Sequence, residues 1–99
     1  MDYKIVWSER SLSNLQEIVQ YIAEDNPLAA ERMGDFIIKK SSLLAQFPEL
    51  GSIFIKLRRP DIREIAAPPY RIIYQVLPKE RIISILTVWH GARQEPDFT

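Results

Sequence analysis

Apolar residues recur at two different spacings along this chain, and the spacing predicts where strands and helices lie. Tyr3 to Trp7 alternates in polarity, which predicts a short first strand. Ser8 follows with a hydroxyl that can accept a free N–H of a helix's first turn. An apolar stripe at helical spacing comes next and predicts a first helix; its members are Leu12, Leu15, Ile18, Val19 and Ile22.

A second helix is predicted directly after the first. Asp25 and Asn26 can cap it, and Pro27 has the backbone angle of a first helical residue. The helix should end before Pro48, and so short a link between two helices predicts a helical hairpin. Its expected buried side holds Ala29, Ala30, Met33, Phe36, Ile37, Leu44 and Phe47.

The second half of the chain has strand patterns separated by turn residues. Residues 52–60 mix apolar and basic side chains and fit either an edge strand or an ordered loop. Strands are predicted at Ile62–Ala67, Tyr70–Leu77 and Ile82–His90. Prolines stand between these strands, where they cannot interrupt a ladder of backbone hydrogen bonds. Three successive strands of this kind predict a β-meander.

The order β-α-α-β-β-β predicts an α+β fold in one domain spanning residues 1–99. We expect a small antiparallel sheet with the N-terminal helical hairpin packed on one face. Alternation places Tyr70, Ile72 and Tyr74 on one face of the middle strand, and Arg71 and Gln75 on the other, more polar face. The polar face should be the one without helices, partly covered by a bound protein.

The last strand is expected to alternate regularly, like the middle one. Simple alternation groups every second residue on one face: Ile83, Ile85, Thr87 and Trp89 on one side, Ser84, Leu86, Val88 and His90 on the other.

Composition indicates a globular protein of an ordinary kind. The chain is 46% hydrophobic and 26% charged, has no cysteine, and has no apolar run long enough to cross a membrane. We therefore expect a soluble cytoplasmic protein that needs no disulfide. Residues 1–51 carry five Lys or Arg against eight Asp or Glu, whereas residues 52–99 carry eight against five. This asymmetry can present a basic surface to a polyanion.

The sequence carries no strong catalytic signature, and we expect neither a metal site nor a cofactor. It has no Gly-rich phosphate loop, no HExxH pair and no nucleophile elbow. His90 is the one histidine and can act as a general acid or base, or simply bond to the backbone or pack beside Trp89. Arg71 can clamp a phosphate, or form an ion pair with Glu64 across the hairpin.

Five further cations are candidates for contacts to phosphate or to a partner. Arg63, Lys56, Arg58 and Arg59 lie near Arg71 in sequence and can fix the position of a phosphate. The alternative for Arg58 and Arg59 is a solvated edge. Arg93 follows Gly91 and either binds a partner or is simply exposed.

Four sequence blocks, taken in order, resemble one known family. They are "IVWSERSLSNLQEIVQYIAEDNPLAAERM", "FPELG", "IREIAAPPYRIIYQV" and "ILTVWHGARQEP", and they cover nearly the whole chain. Together they look like the ParE/RelE superfamily, the toxins of bacterial type II toxin–antitoxin modules. The hairpin segment "YIAEDNPLAA" and the ending "VWHGARQEP" are most similar to the ParE branch.

The resemblance implies a toxin that a cognate antitoxin neutralises within a hetero-oligomer, and it implies two alternative mechanisms. ParE-like toxins bind DNA gyrase and do no chemistry themselves. RelE-like toxins are metal-independent, ribosome-dependent mRNA endoribonucleases, which would assign catalytic roles here to Arg71, His90 and Arg63. Enzymes of the second kind follow their C-terminal histidine with tyrosine, whereas Gly91 follows His90. That departure, and the small number of lysines, favour gyrase inhibition.

Overall fold

The protein, described here from a computed structural model, has two helices and five strands within residues 2–92, the part of the chain that the structure describes. The helices are α1 (Glu9–Ala23) and α2 (Pro27–Ser42). The strands are β1 (Lys4–Trp7), β2 (Ser52–Ile53), β3 (Ile62–Ala67), β4 (Tyr70–Leu77) and β5 (Ile82–His90). Short 3₁₀ turns occupy Leu43–Ala45 and Ile55–Leu57. The α+β class is confirmed, and the predicted elements occur in the predicted order with one additional short strand, β2.

Both helices begin where their capping residues predict. The Ser8 hydroxyl accepts a hydrogen bond from the Ser11 N–H at 3.1 Å, and Asn26 Oδ1 accepts one from the Ala29 N–H at 3.0 Å. Each bond satisfies a donor that the first helical turn would otherwise leave unpaired. Neither helix is long and apolar enough to cross a membrane, among the residues described.

All five strands form one sheet in the order β1-β5-β4-β3-β2. The meander β3-β4-β5 is antiparallel, as expected. The sheet as a whole is mixed rather than wholly antiparallel, because β1 lies parallel to β5 with Lys4 opposite Ile82. The helical hairpin and strands β2 to β4 separate β1 from β5 in sequence, and so long a connection allows a parallel pairing.

The helical hairpin packs on the face of the sheet that carries Tyr70, Ile72 and Tyr74, which we call the helix face. Ile37 and Leu44 contribute to the same cluster, and both are fully buried. The opposite face carries Arg71, Ile73 and Gln75 and is called the open face. The predicted division of β4 between its two faces is confirmed, because burial of the apolar set in the core decides the orientation of the strand.

The predicted regular alternation of β5 is wrong in its second half. The pairing of β4 with β5 shifts register between Ile73 and Tyr74, so that Ile85 faces Tyr74 but Thr87 faces Ile73. The extra residue reverses the later part of the strand. Val88 therefore joins the helix-face core, whereas Trp89 packs on the open face against Phe54 at a ring distance of 6.4 Å.

Three apolar side chains that the helical stripes include are exposed instead of buried: Leu12, Phe36 and Phe47. Leu12 directly follows the buried Ser11, and Phe36 directly precedes the buried Ile37. Adjacent helical residues are rotated by about 100°, so Leu12 and Phe36 point away from the core. Phe47 lies beyond the end of α2, where the 3₁₀ turn no longer keeps the α-helical period.

Segment 52–60 is partly an edge strand and partly an ordered turn, which combines the two expected alternatives. Its Phe54 is buried with Ile62 and Ile73, and Leu57, Leu86 and Trp89 pack around them. This second, smaller cluster covers part of the open face. The apolar side chains of the open face are therefore covered in part by the chain itself.

Candidate functional site

Arg71 lies on the open face and forms an ion pair across the β3-β4 hairpin. Its Nη1 is 2.6 Å from Glu64 Oε1, and the side chains are 47% and 19% exposed. The ion-pair alternative for Arg71 is thus confirmed. The guanidinium remains accessible, and a phosphate would have to compete with the Glu64 carboxylate for it. Its role in phosphate binding stays a prediction.

His90 ends β5 on the helix face, directly opposite Tyr70. The two rings meet edge to face, with centroids 5.4 Å apart. Nδ1 accepts a hydrogen bond from the Ala92 N–H at 3.1 Å, so the proton of the neutral imidazole lies on Nε2. The expected backbone bond is confirmed. The ring packs on Tyr70 rather than beside Trp89, because consecutive strand residues point to opposite faces of the sheet.

Arg63 lies on the helix face of β3, the strand next to the edge strand β2, and stands opposite Tyr74. Its Nη1 donates to the Gly51 carbonyl at 2.6 Å and to the Glu49 carbonyl at 3.3 Å. A guanidinium bound to two backbone oxygens holds the chain after α2 against β3. A contact between Arg63 and phosphate stays a prediction, and it would compete with this anchoring role.

Tyr74 secures the same turn from the middle of the sheet. Its hydroxyl accepts from the Gly51 N–H and donates to the Pro48 carbonyl, both at 2.9 Å. Burial raises the pKa of Tyr74. Gly51 is required here, because a Cβ on it would lie 2.4 Å from the Glu64 carbonyl oxygen. The sequence contains no local signal for these contacts, since the partners lie 23 and 26 residues apart.

The cations of segment 52–60 are exposed, and Arg59 is paired. Arg59 makes two hydrogen bonds to Asp61, at 2.7 and 3.2 Å, and Gln75 donates to the same carboxylate at 2.7 Å. The Arg59 bond first, and then the Gln75 bond, lower the pKa of Asp61. Arg58 has a left-handed backbone with φ 51° at the end of the 3₁₀ turn that contains Lys56. Partner or phosphate binding by these residues stays a prediction.

The three residues of the nuclease alternative are divided between the two faces of the sheet. Arg71 is on the open face, whereas Arg63 and His90 are on the helix face. Arg63 stands opposite Tyr74, and His90 stands opposite Tyr70. These two positions of β4 are four residues apart, so Arg63 and His90 are offset by about 13 Å along the strand direction at 3.3 Å per residue. Arg93 lies outside the described residues.

A groove opens beside His90, between α1 and the end of β5. It encloses about 680 Å³, and we call it the α1–β5 groove. It is lined by Asn14, Glu17, Ile18, Tyr21, Tyr70, Val88, Trp89, His90 and Ala92. Among the described lining residues, Glu17 is the one carboxylate, and no lysine or arginine is present. No local sequence pattern indicates this groove, because only the tertiary packing joins its two sides.

Asn14 fixes one wall of the groove. Its Oδ1 accepts from Thr87 Oγ1 at 2.7 Å and from the Val88 N–H at 3.0 Å. The bulge in β5 turns these two consecutive donors towards α1, and the amide oxygen satisfies both. The sequence does not indicate this role of Asn14, because a polar residue beside an apolar helical stripe usually faces solvent.

No group of three histidine, aspartate or glutamate side chains is arranged to hold a metal ion, within residues 2–92. The candidate groups in the described part of the chain are the cations of the sheet, the His90 imidazole and the side chains that line the groove. The cations can bind anions or a protein surface.

Comparison of sequences places the chain among toxins. Residues 5–95 match the family model described as the ParE toxin of the type II toxin–antitoxin system, parDE. The chain is 35% identical over 91 residues to Toxin RelE2 of Caulobacter vibrioides, covering 91% of this chain and 97% of that protein. It is 37% identical over 95 residues to Putative toxin Y4kP of Sinorhizobium fredii, covering 94% and 93%.

Comparison of structures gives the same fold. The chromosomal ParDE toxin–antitoxin system from P. aeruginosa matches with a TM-score of 0.71 at 19% identity, covering 89% of this chain and 95% of that one. The intact E. coli RelBE toxin–antitoxin complex matches with a TM-score of 0.64 at 19% identity, covering 92% and 99%. The fold is thus common to structures named for ParE and for RelE, and it does not separate the two mechanisms.

Proposed function

The chain belongs to the ParE toxin family of type II toxin–antitoxin systems, and we propose that it inhibits growth in the cytoplasm by binding DNA gyrase. A cognate antitoxin would neutralise it in a hetero-oligomer, as the matched RelBE complex joins a toxin to its antitoxin. The proposal makes the protein a binding inhibitor with no chemistry of its own.

The placement of Arg71 and His90 on opposite faces of the sheet carries this proposal. Cleavage of RNA by attack of a 2′-hydroxyl needs an acid or base and a phosphate-binding cation around one phosphate. Here the imidazole is on the helix face, whereas Arg71 is on the open face and bound to Glu64. Arg63 is bound to the carbonyls of Gly51 and Glu49. A binding function makes no such demand on these residues.

Purified gyrase gives the direct test. We expect the free protein to inhibit negative supercoiling of a relaxed plasmid, and the preformed complex with its antitoxin to inhibit it less. Undisturbed supercoiling at an excess of folded free protein would refute the proposal. Normal growth of cells that express the chain without an antitoxin would instead indicate a protein that has kept antitoxin binding and lost toxicity.

The alternative is a ribosome-dependent mRNA endoribonuclease in which His90 is the acid or base. One observation favours it: His90 lies beside an open groove and has its Nε2 proton available for donation. It predicts cleavage of mRNA in a translating extract, and loss of that cleavage in His90→Ala. Intact transcripts with the unmodified protein would exclude it.

A further inference from the structure

The α1–β5 groove is distinct in position from the open face that carries Arg71 and Glu64. It lies on the helix side of the sheet, where Tyr70 and His90 form its floor and Glu17 and Tyr21 of α1 form its rim. Arg71, the accessible cation of the open face, is on the other side of the sheet. The gyrase proposal gives this groove no role.

The side chains of the groove are those that bind a cation. The exposed Tyr21 ring presents a π face, the Glu17 carboxylate supplies a negative charge, and Tyr70, which is 8% exposed, closes the bottom of the groove. A cation over an aromatic face is attracted by the ring quadrupole, and a carboxylate adds a charge-assisted hydrogen bond. A phosphate or carboxylate ligand would be repelled by Glu17, and among the described residues no lysine or arginine of the groove would offset that repulsion.

Arginine fits these groups better than lysine does. Its planar guanidinium can stack on a tyrosine ring and form two parallel hydrogen bonds to one carboxylate. Tyr21 is 68% exposed, which is unusual for so large an aromatic side chain, and tyrosine and arginine are both enriched in protein interfaces. The half of the chain that includes α1 is also the acidic half, with eight Asp or Glu against five Lys or Arg in residues 1–51. Its charge complements a basic partner segment.

We propose that the α1–β5 groove binds an arginine side chain of the antitoxin, with the guanidinium paired to Glu17 and stacked on Tyr21. This inference rests on the proposed pairing with an antitoxin and adds the chemistry that one part of the interface would use. Glu17 acts as the anionic anchor, and Tyr21 closes over the bound side chain.

The test measures antitoxin affinity by calorimetry for Glu17→Gln and for a matched control, Glu24→Gln. Both substitutions remove one exposed carboxylate from α1 or its C-cap, but Glu24 does not line the groove. We expect a roughly ten-fold weaker complex for Glu17→Gln, the usual effect of losing one charge-assisted hydrogen bond. Glu24→Gln should bind like the unmodified chain. Equal affinities for the two variants would overturn the inference.

A double-mutant cycle identifies the partner residue. Each arginine of the antitoxin is changed to alanine in turn and measured against both the unmodified chain and Glu17→Gln. One arginine should lose about ten-fold affinity with Glu17 present and almost none without it. If no arginine is coupled to Glu17, another occupant fills the groove and the inference is wrong.

A small probe tests the groove without the antitoxin. N-acetyl-arginine amide should shift the NMR resonances of Tyr21 and His90 in the free protein, and the neutral citrulline analogue should not. Glu17→Gln should abolish the shifts. Absence of shifts at a saturating concentration of the probe would contradict the inference. The free Glu17→Gln variant should still inhibit gyrase normally. The gyrase assay therefore separates failure of this inference from failure of the proposed function.

Discussion

Arg71 and His90 lie on opposite faces of one sheet, although they are the two residues most suited to act together on a phosphate. In the ladder between β4 and β5, Arg71 stands opposite Trp89, and Tyr70 stands opposite His90. Arg71 and His90 are therefore one position out of step, and their side chains point to opposite faces of the sheet. The bulge in β5 decides which residues share a face, because without it Trp89 and His90 would exchange sides. The arrangement fits a binding protein better than a nuclease.

The Tyr74 hydroxyl is expected to stabilise the protein through the turn at residues 48–51. Tyr74→Phe leaves the Gly51 N–H and the Pro48 carbonyl without their partner, and should lower the free energy of unfolding by about 1–3 kcal/mol. Tyr21→Phe, at an exposed position, is the matched control and should change it by less than about 0.5 kcal/mol. Urea denaturation measures both. Equal effects would show that the buried hydroxyl does not anchor the turn.

Asn14 is expected to hold α1 to the bulged strand. Asn14→Ala leaves the Thr87 hydroxyl and the Val88 N–H without an acceptor, and should cost about 1–3 kcal/mol of unfolding free energy. Asn14→Asp keeps an acceptor oxygen in place and should cost less. The comparison uses thermal or urea unfolding, and a loss in Asn14→Asp as large as that in Asn14→Ala would argue against the acceptor role.

The Asp61 carboxylate is expected to make stability depend on pH in the acid range. Its hydrogen bonds to Arg59 and Gln75 lower the pKa of Asp61 in the folded protein, so the folded state binds a proton less readily than the unfolded state. The resulting stabilisation is present above the ordinary aspartate pKa of about 3.9 and is lost as the pH falls through the folded pKa.

Asp61→Asn and Arg59→Gln should both reduce this dependence. Each variant should be less stable than the unmodified chain at about pH 7, and the difference should shrink at about pH 2.5. Urea unfolding at the two pH values gives the measurement. A difference that stays constant between them would mean that Asp61 does not contribute to the acid dependence.

Local sequence signals were sufficient for the elements of this fold. The three strands of the meander have the predicted bounds because alternating apolar residues end at prolines or at a glycine. The helices begin after Ser8 and Asn26, where side-chain oxygens cap them. These features depend on residues within a few positions of one another, so the sequence alone predicts them.

Long-range relations were not predictable in the same way. The parallel pairing of β1 with β5 and the bulge in β5 depend on how distant segments meet. The same is true of the hydrogen bonds that occupy Arg63 and Tyr74. The sequence therefore names candidate cations, but only the assembled sheet shows which of them share a face.

Gyrase-dependent supercoiling, measured with the unmodified chain and with His90→Ala, tests the central claim most directly. The account predicts that both proteins inhibit supercoiling to a similar extent and that neither cleaves mRNA in a translating extract. Uninhibited supercoiling, together with mRNA cleavage that disappears in His90→Ala, would contradict it.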